Sequence, residues 1–340
     1  MQQSVVIRAD GSHRIGAGHI ARMCHLADRL QNSGSRVTFV SHASDGCDAL
    51  VKARGHGLIL LPPVSQGSSP HAASAVCGLG PHLVVNDIRD TSDHYMRLLR
   101  MTGAQIINFD DRGAGAELAD LLVDANRLPE EAAEVARLCA FFGPDAIVLD
   151  EAFERAHRRP KIVRDRVETL LVFMGGSDPA GLTLRALEVL ERLDPAWRTT
   201  VVLGYAFRKR PEVEALAAQR PNVEIVVGPG DLASRMHEAD MALCSGGIAM
   251  FELACVGTPS IVWCQVAHER RNARLLAERG IVRCVGLGDE PQIEAVAEAL
   301  RALANDTAAR CAMSKAGKET VDGRGLDRVM EAIEQCVPQS

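Results

Sequence analysis

Aromatic residues make up only 4% of this 340-residue chain. The ten cysteines are scattered singly, with no CxxC pair among them. That spacing argues against a zinc ribbon, and the cysteines that lie inside apolar runs lead us to expect buried, reduced thiols and a cytoplasmic setting. No excess of basic residues is present: the formal net charge is −6. The composition therefore offers no nucleic-acid-binding surface, although a helix N-terminus can still hold an anionic small ligand. No apolar run has the length needed to cross a bilayer. Arg8 and Asp10 interrupt the N-terminal apolar stretch, so a signal peptide is not expected there.

What is present is a long alternation of short β-branched runs with helical patterns, the signature of α/β architecture with parallel sheets. The strand candidates in the first half are 4–9, 36–41, 82–86, 104–109 and 120–124. Those in the second half are 169–174, 199–203, 223–227, 240–244, 259–264 and 281–285. Helices are expected at 19–33, 179–193, 247–256 and 268–279, among others. The length fits two domains. The charged, proline-containing stretch 150–168 reads as the inter-domain region and a hinge. The expected division is 1–155, 156–323 and a C-terminal helix and tail at 324–340.

Three glycine-bearing turns carry the chemistry. "RIGAGHIAR" (14–22) follows the first strand candidate and opens a helix. Gly16 and Gly18 let a ligand approach the main chain, and His19 falls in the first helical turn. There the helix dipole disfavours imidazolium, so His19 fits a general base. The same residues also fit a plain strand-to-helix turn with a solvent-facing histidine. The pattern falls short of GxGxxG, so dinucleotide binding is a weak match.

In the second half, Gly175, Gly176 and Ser177 follow a strand candidate and offer backbone N–H groups and a hydroxyl to phosphate. Ser177 or Asp178 equally suits a helix cap, with Pro179 at the first helical position. Ser245, Gly246 and Gly247 repeat the design, a natural seat for a pyrophosphate. Glu252 lies on the helix that follows, where its carboxylate suits the two hydroxyls of a ribose and a surface position fits equally. Gln265, His268 and Asn272 stand at the start of the next helix, as nucleotide contacts or as solvated residues.

Four segments together resemble one family: "IRADGSHRIGAGHIARMCHLADRL", "INFDDRGAG", "FMGGSDPAGLTLRAL" and "CSGGIAMFELACVGTPSI". They are similar to the PseG/SpsG family, whose founding member is the UDP-sugar hydrolase of pseudaminic acid biosynthesis. The resemblance covers about residues 4–285. It implies a GT-B fold related to MurG, with two Rossmann-like domains facing each other across a cleft that closes on its ligand. It also implies His19 as the base. Sugar contacts are expected from Arg8, Asp10, Gly16, Gly18, Arg22, Asp87, Asp110 and Asp111. Nucleotide contacts are expected from Gly175, Gly176, Ser177, Gly204, Ser245, Gly246, Gly247, Glu252, Gln265 and Asn272.

The expected reaction is hydrolysis of a UDP-linked, 2,4-diacetamido-trideoxy-hexose-like sugar, without metal or cofactor. A glycosyltransferase and a non-catalytic nucleotide-sugar-binding module are the alternatives, and association with other sugar-pathway enzymes is a further expectation. Two segments depart from the hydrolase pattern. Asn86-Asp87-Ile88-Arg89 stands where hydrolases tend to carry Asp-His-Tyr-Gly, and "IVLDEAF" places Asp150 where an arginine is usual.

Overall fold

The computed structural model describes residues 3–336 apart from 43, 45, 63–66, 128–138, 194–195, 229, 289 and 291. The chain forms two compact units. Unit 1 comprises residues 1–150 and 324–340, and unit 2 comprises 151–323. The division thus falls at Asp150/Glu151, and the C-terminal helix clusters with the first unit.

Unit 1 is built from β1 (Ser4–Ala9), α1 (Gly18–Asn32), β2 (Arg36–Ser41), α2 (Cys47–Ala53), β3 (Gly57–Leu60), α3 (Pro70–Cys77), β4 (Leu83–Asp87), α4 (Asp93–Arg100), β5 (Gln105–Phe109), β6 (Leu121–Asp124) and β7 (Cys139–Phe142). Unit 2 contains α5 (Glu151–His157), β8 (Thr169–Phe173), α6 (Leu182–Leu193), β9 (Arg198–Leu203), α7 (Arg210–Ala217), β10 (Val223–Val227), α8 (Leu232–Glu238), β11 (Met241–Cys244), α9 (Ile248–Val256), β12 (Ser260–Cys264), α10 (Ala267–Glu278), β13 (Arg283–Leu287), α11 (Ile293–Asn305) and α12 (Thr307–Thr320). Helix α13 (Gly325–Cys336) returns to unit 1.

Both sheets are parallel, in the orders β3-β2-β1-β4-β5-β6-β7 and β10-β9-β8-β11-β12-β13. Each begins with the doubly wound order, in which the chain reverses direction beside the first strand. The switch points lie between β1 and β4 and between β8 and β11. Every residue of β1, β4, β6, β11 and β12 is buried, which explains their nearly unbroken apolar composition. Helix α9 is apolar around most of its circumference because it too is nearly enclosed. In unit 2 the indole of Trp263 is fully buried, and its Nε1 donates to the Gly288 carbonyl at 2.7 Å.

The structure differs from the sequence expectation in several places. Strands β3 and β7 add to the expected set. Helix α6 starts at Leu182, three residues after the expected 179, so Pro179 lies in the preceding turn. Five cysteines are buried, but Cys77, Cys284 and Cys336 are half-buried and Cys139 and Cys311 are exposed. No described helix is long and apolar enough to cross a membrane.

Candidate active site

At the carboxyl edge of the unit 1 sheet, neighbouring strands each end on an aspartate: Asp10 after β1, Asp87 closing β4, Asp110 after β5 and Asp124 closing β6. Burial puts a large desolvation cost on such carboxylates unless charge or hydrogen bonds offset it. Arg8, fully buried on β1, takes both oxygens of Asp10. Arg22 projects from α1 and bridges the next two strands. Its Nε donates to Asp87 Oδ2 at 2.7 Å, and its Nη1 donates to Asp110 Oδ2 at 2.6 Å. Burial works against the charge of Arg22, but Asp110 and Asp87 outweigh it and raise its pKa.

His19 stands three residues before Arg22 on the same helix face, as i,i+3 spacing requires. Its Nδ1 lies 2.7 Å from Asp87 Oδ1. Asp87 has only acceptors to offer when ionised, so Nδ1 is the nitrogen that carries a proton toward it, and in the neutral imidazole Nε2 is the one with the lone pair. Burial pushes the Asp87 carboxyl up, but Arg22 and His19 together outweigh it and hold it below the usual carboxylate range. The His19 side chain keeps 20% of its surface accessible while that of Asp87 has none. The geometry is therefore that of an accessible imidazole held by a buried carboxylate.

The loop leading to His19 is fixed by a Ser12–Gly16 bridge, in which Gly16 N donates to Ser12 O at 2.7 Å. Gly16 adopts φ +92°, a region that favours glycine, whereas Gly18 is simply the first residue of α1. The capping residue of α1, Ala17, supplies no side-chain cap, so the first turn keeps backbone donors for a ligand.

Asp110 takes φ +51°, a left-handed conformation that aspartate tolerates better than most residues. Burial raises its carboxyl, Arg22 lowers it and Asp87 raises it, for a net shift downwards. Asp124 moves the other way. Burial and then the Asp110 charge push it up to about 7, despite Arg112 at 2.9 Å from its Oδ2. Asp111 faces inward. It accepts from Thr91 N at 3.0 Å, Thr91 Oγ1 at 2.5 Å, Asn108 Nδ2 at 2.6 Å and Gly113 N at 2.9 Å. Asn108 in turn accepts from Asn86, which accepts from the Tyr95 hydroxyl. Arg8 and Asp111 thus bond to the protein itself and support the edge. Sequence reasoning did not single out Asp124.

At the matching edge of unit 2, Gly175 takes φ +80° beside Ser245, to whose Oγ an added Cβ would come within 3.3 Å. A Cβ on Gly204 would stand 2.4 Å from the Cα of Gly176, so the ends of β8 and β9 pack backbone against backbone. Ser177 and Ser245 are buried. Asp178 caps α6 through both oxygens, accepting from Leu182 N at 2.8 Å and Thr183 N at 2.7 Å. Gly247 precedes α9 with no side-chain cap. Glu269, on α10, reaches across to this turn and accepts with Oε2 from Gly246 N at 3.2 Å and Gln265 N at 2.7 Å.

A side-chain carboxylate therefore engages a donor the sequence suggested for pyrophosphate. Gln265 ties two loops together instead of pointing away from the protein: Nε2 donates to Met174 O at 2.6 Å and Oε1 accepts from Ala180 N at 3.1 Å. Glu252 is half-buried on α9, and Asn272 is buried on α10. Among the described residues no group of three or more His, Cys, Asp or Glu is arranged to hold a metal ion.

No family model matches the chain. It is 24% identical to the spore coat polysaccharide biosynthesis protein SpsG of Bacillus subtilis (strain 168), over 98% of this chain and 99% of that one. MurG of Acinetobacter baumannii superposes with a TM-score of 0.67 and 17% identity, covering 98% of this chain and 99% of that chain. The glycosyltransferase of kitacinnamycin also gives 0.67, with 18% identity, over 99% and 100% of the two chains. The two parallel α/β sheets, their switch-point loops and the SpsG relationship agree: the chain is a SpsG-like protein with the MurG-like GT-B fold.

Proposed function

We propose that this protein is a nucleotide-sugar hydrolase that releases UDP and a free sugar. The observation that carries the reading is the His19–Asp87 pair at the switch point of unit 1, with Nε2 of an accessible imidazole left as a proton acceptor. Water attacks the anomeric carbon while His19 Nε2 takes its proton. The anomeric C–O bond breaks, and its electron pair leaves with the diphosphate oxygen. Asp87 keeps the proton on Nδ1 and stabilises the imidazolium that forms. A diphosphate is already a good leaving group, so the scheme asks for stabilised charge and one base. The turns Gly175–Ser177 and Ser245–Gly247 supply the nucleotide side, with Glu252 on the ribose. Gly16 and Gly18, with Asp10, Arg22, Asp87 and Asp110, shape the sugar side.

A glycosyltransferase is the second reading, favoured by the fold shared with MurG and with the kitacinnamycin glycosyltransferase. There an acceptor hydroxyl takes the place of water and gives its proton to the same histidine. Incubation with a panel of UDP-sugars and no acceptor decides between them. Stoichiometric free UDP and free sugar support hydrolysis. UDP release that appears only when an acceptor is added supports transfer.

A further inference from the structure

Next to the His19–Asp87 pair lies an arginine that the scheme above does not use. Arg89 follows β4, two residues beyond Asp87, in the segment where the sequence departs from the hydrolase pattern. It is half-buried, and among the described residues its guanidinium makes no hydrogen bond and no ion pair. Its backbone is fixed, since the Arg89 carbonyl accepts from Arg112 N at 2.8 Å. Burial lowers its pKa, with Asp110 and Asp124 opposing and Arg22 and Arg112 reinforcing that shift, so its charge faces the same cluster as the sugar-side residues.

Two more arginines stand at the neighbouring strand ends. Arg112 Nη2 lies 2.9 Å from Asp124 Oδ2 and donates to Asn126 O at 3.3 Å. Arg127 lies 3.6 Å from the same Asp124 oxygen, and its guanidinium stacks 5.0 Å from the Phe142 ring centroid. The Arg127 Nε is buried without a hydrogen-bond partner among the described residues. Arg112 and Arg127 therefore share one carboxylate, Asp124, whose own ionisation is opposed by burial and by Asp110, while Arg89 feels Asp110 and Asp124 without an ion pair to either. Elsewhere along this edge the match is closer: Arg8 answers Asp10, Arg22 answers Asp87 and Asp110, and Asp111 is met by neutral donors.

We propose that Arg89, backed by Arg112 and Arg127, binds a carboxylate on the part of the ligand held by unit 1, so that the substrate or acceptor is an acidic sugar. A half-desolvated guanidinium without a partner gains most from a planar two-oxygen anion, which its fork of donors matches. A neutral sugar would leave that cation without a counter-charge. The proposal rests on the reading that the unit 1 edge binds the sugar side of the ligand.

The test compares UDP-glucuronate with UDP-glucose, using UDP alone as reference, in titration calorimetry of the full chain. The wild type should bind UDP-glucuronate at least about tenfold more tightly than UDP-glucose. Arg89→Met should bring that ratio to about one and leave UDP binding unchanged, while Arg89→Lys should keep part of it. A wild-type ratio near one, or an unchanged ratio in a folded Arg89→Met variant, overturns the proposal. If UDP alone fails to bind, the nucleotide reading falls, and saturation-transfer NMR with millimolar D-glucuronate and D-glucose still reads Arg89. Preference for glucuronate that Arg89→Met abolishes supports the assignment. Equal signals overturn it, as does displacement of glucuronate by lower concentrations of inorganic phosphate, which would make this a phosphate site.

Discussion

Asp87 contacts both His19 and Arg22 through one buried carboxylate, with His19 Nδ1 2.7 Å from its Oδ1 and Arg22 Nε 2.7 Å from its Oδ2. The imidazole and the neighbouring guanidinium are thus oriented by the same group. Asp87→Asn should lower turnover of a UDP-sugar by about 10²–10⁴, because an amide can hold His19 in the wrong tautomer. Steady-state UDP release measures this. Asp87→Ala should add a loss of thermal stability, because Arg22 is then left buried with only Asp110.

His19→Asn keeps the side chain's approximate size and some hydrogen bonding but removes the proton acceptor. Turnover should fall by about 10²–10⁴ if general-base catalysis carries the step. UDP affinity, read by calorimetry, should hardly change. Wild-type turnover in this variant would reduce the 14–22 loop to a turn.

Glu252→Ala should weaken UDP binding by roughly 1–3 kcal/mol, the worth of a charge-assisted hydrogen bond to a ribose. Unchanged affinity would remove Glu252 from the nucleotide site.

Glu269→Gln should act in the opposite direction. The Glu269 carboxylate accepts from Gly246 N and Gln265 N at the turn where we propose the diphosphate sits. Removing its charge removes a repulsion with the incoming anion, so UDP should bind more tightly, by up to about tenfold. The gain should shrink as salt is raised. Weaker binding would show that Glu269 is needed to hold the turn in shape.

Stability should also depend on Asp124. Its pKa is raised to about 7 in the folded chain from an ordinary 3.8. Between these values the folded state keeps a proton that the unfolded state has released. The unfolding free energy contributed by this group therefore falls as pH rises from about 4 to about 7, then levels off. Asp124→Asn removes that dependence. The Tm difference between variant and wild type should grow in favour of the variant across this window.

The strands could be read from the sequence because a parallel strand covered on both faces is nearly all apolar. Strand β3 escaped because it is a four-residue edge strand, Gly-Leu-Ile-Leu, with exposed residues and no clear alternation. Strand β7 is as short, and two of its four residues are exposed. The start of α6 was misplaced because Asp178-Pro179 has the composition of a helix start, yet the Asp178 side chain caps from four residues upstream of Leu182.

His19, Arg22, Asp87 and Asp110 were legible in the sequence as candidate site residues, through the resemblance their segments carry. Their mutual bonds were not, because 65 and 88 residues separate Arg22 from its two partners and only the strand order brings them together. Asp124 and Glu269 carried no local signal. The first closes an ordinary apolar strand, and the second lies in a charged helix of typical surface composition.

Unit 1 is discontinuous: α13 rejoins it after all of unit 2, with Arg29 Nη2 donating to Asp327 Oδ1 at 2.6 Å and Gly325 so close to Ile147 that a Cβ would meet its carbonyl oxygen at 2.1 Å. During synthesis on the ribosome, the portion bearing His19 emerges first but must wait for a helix made after residues 151–323. The uninterrupted second unit is complete before that helix is made. The nascent chain therefore has reason to mature out of order, the later-made unit settling while the earlier one is still incomplete. A fragment ending before residue 324 should expose the 144–146 turn and the parts of β6 and β7 that α13 packs against, and it should be more prone to proteolysis there than the full chain.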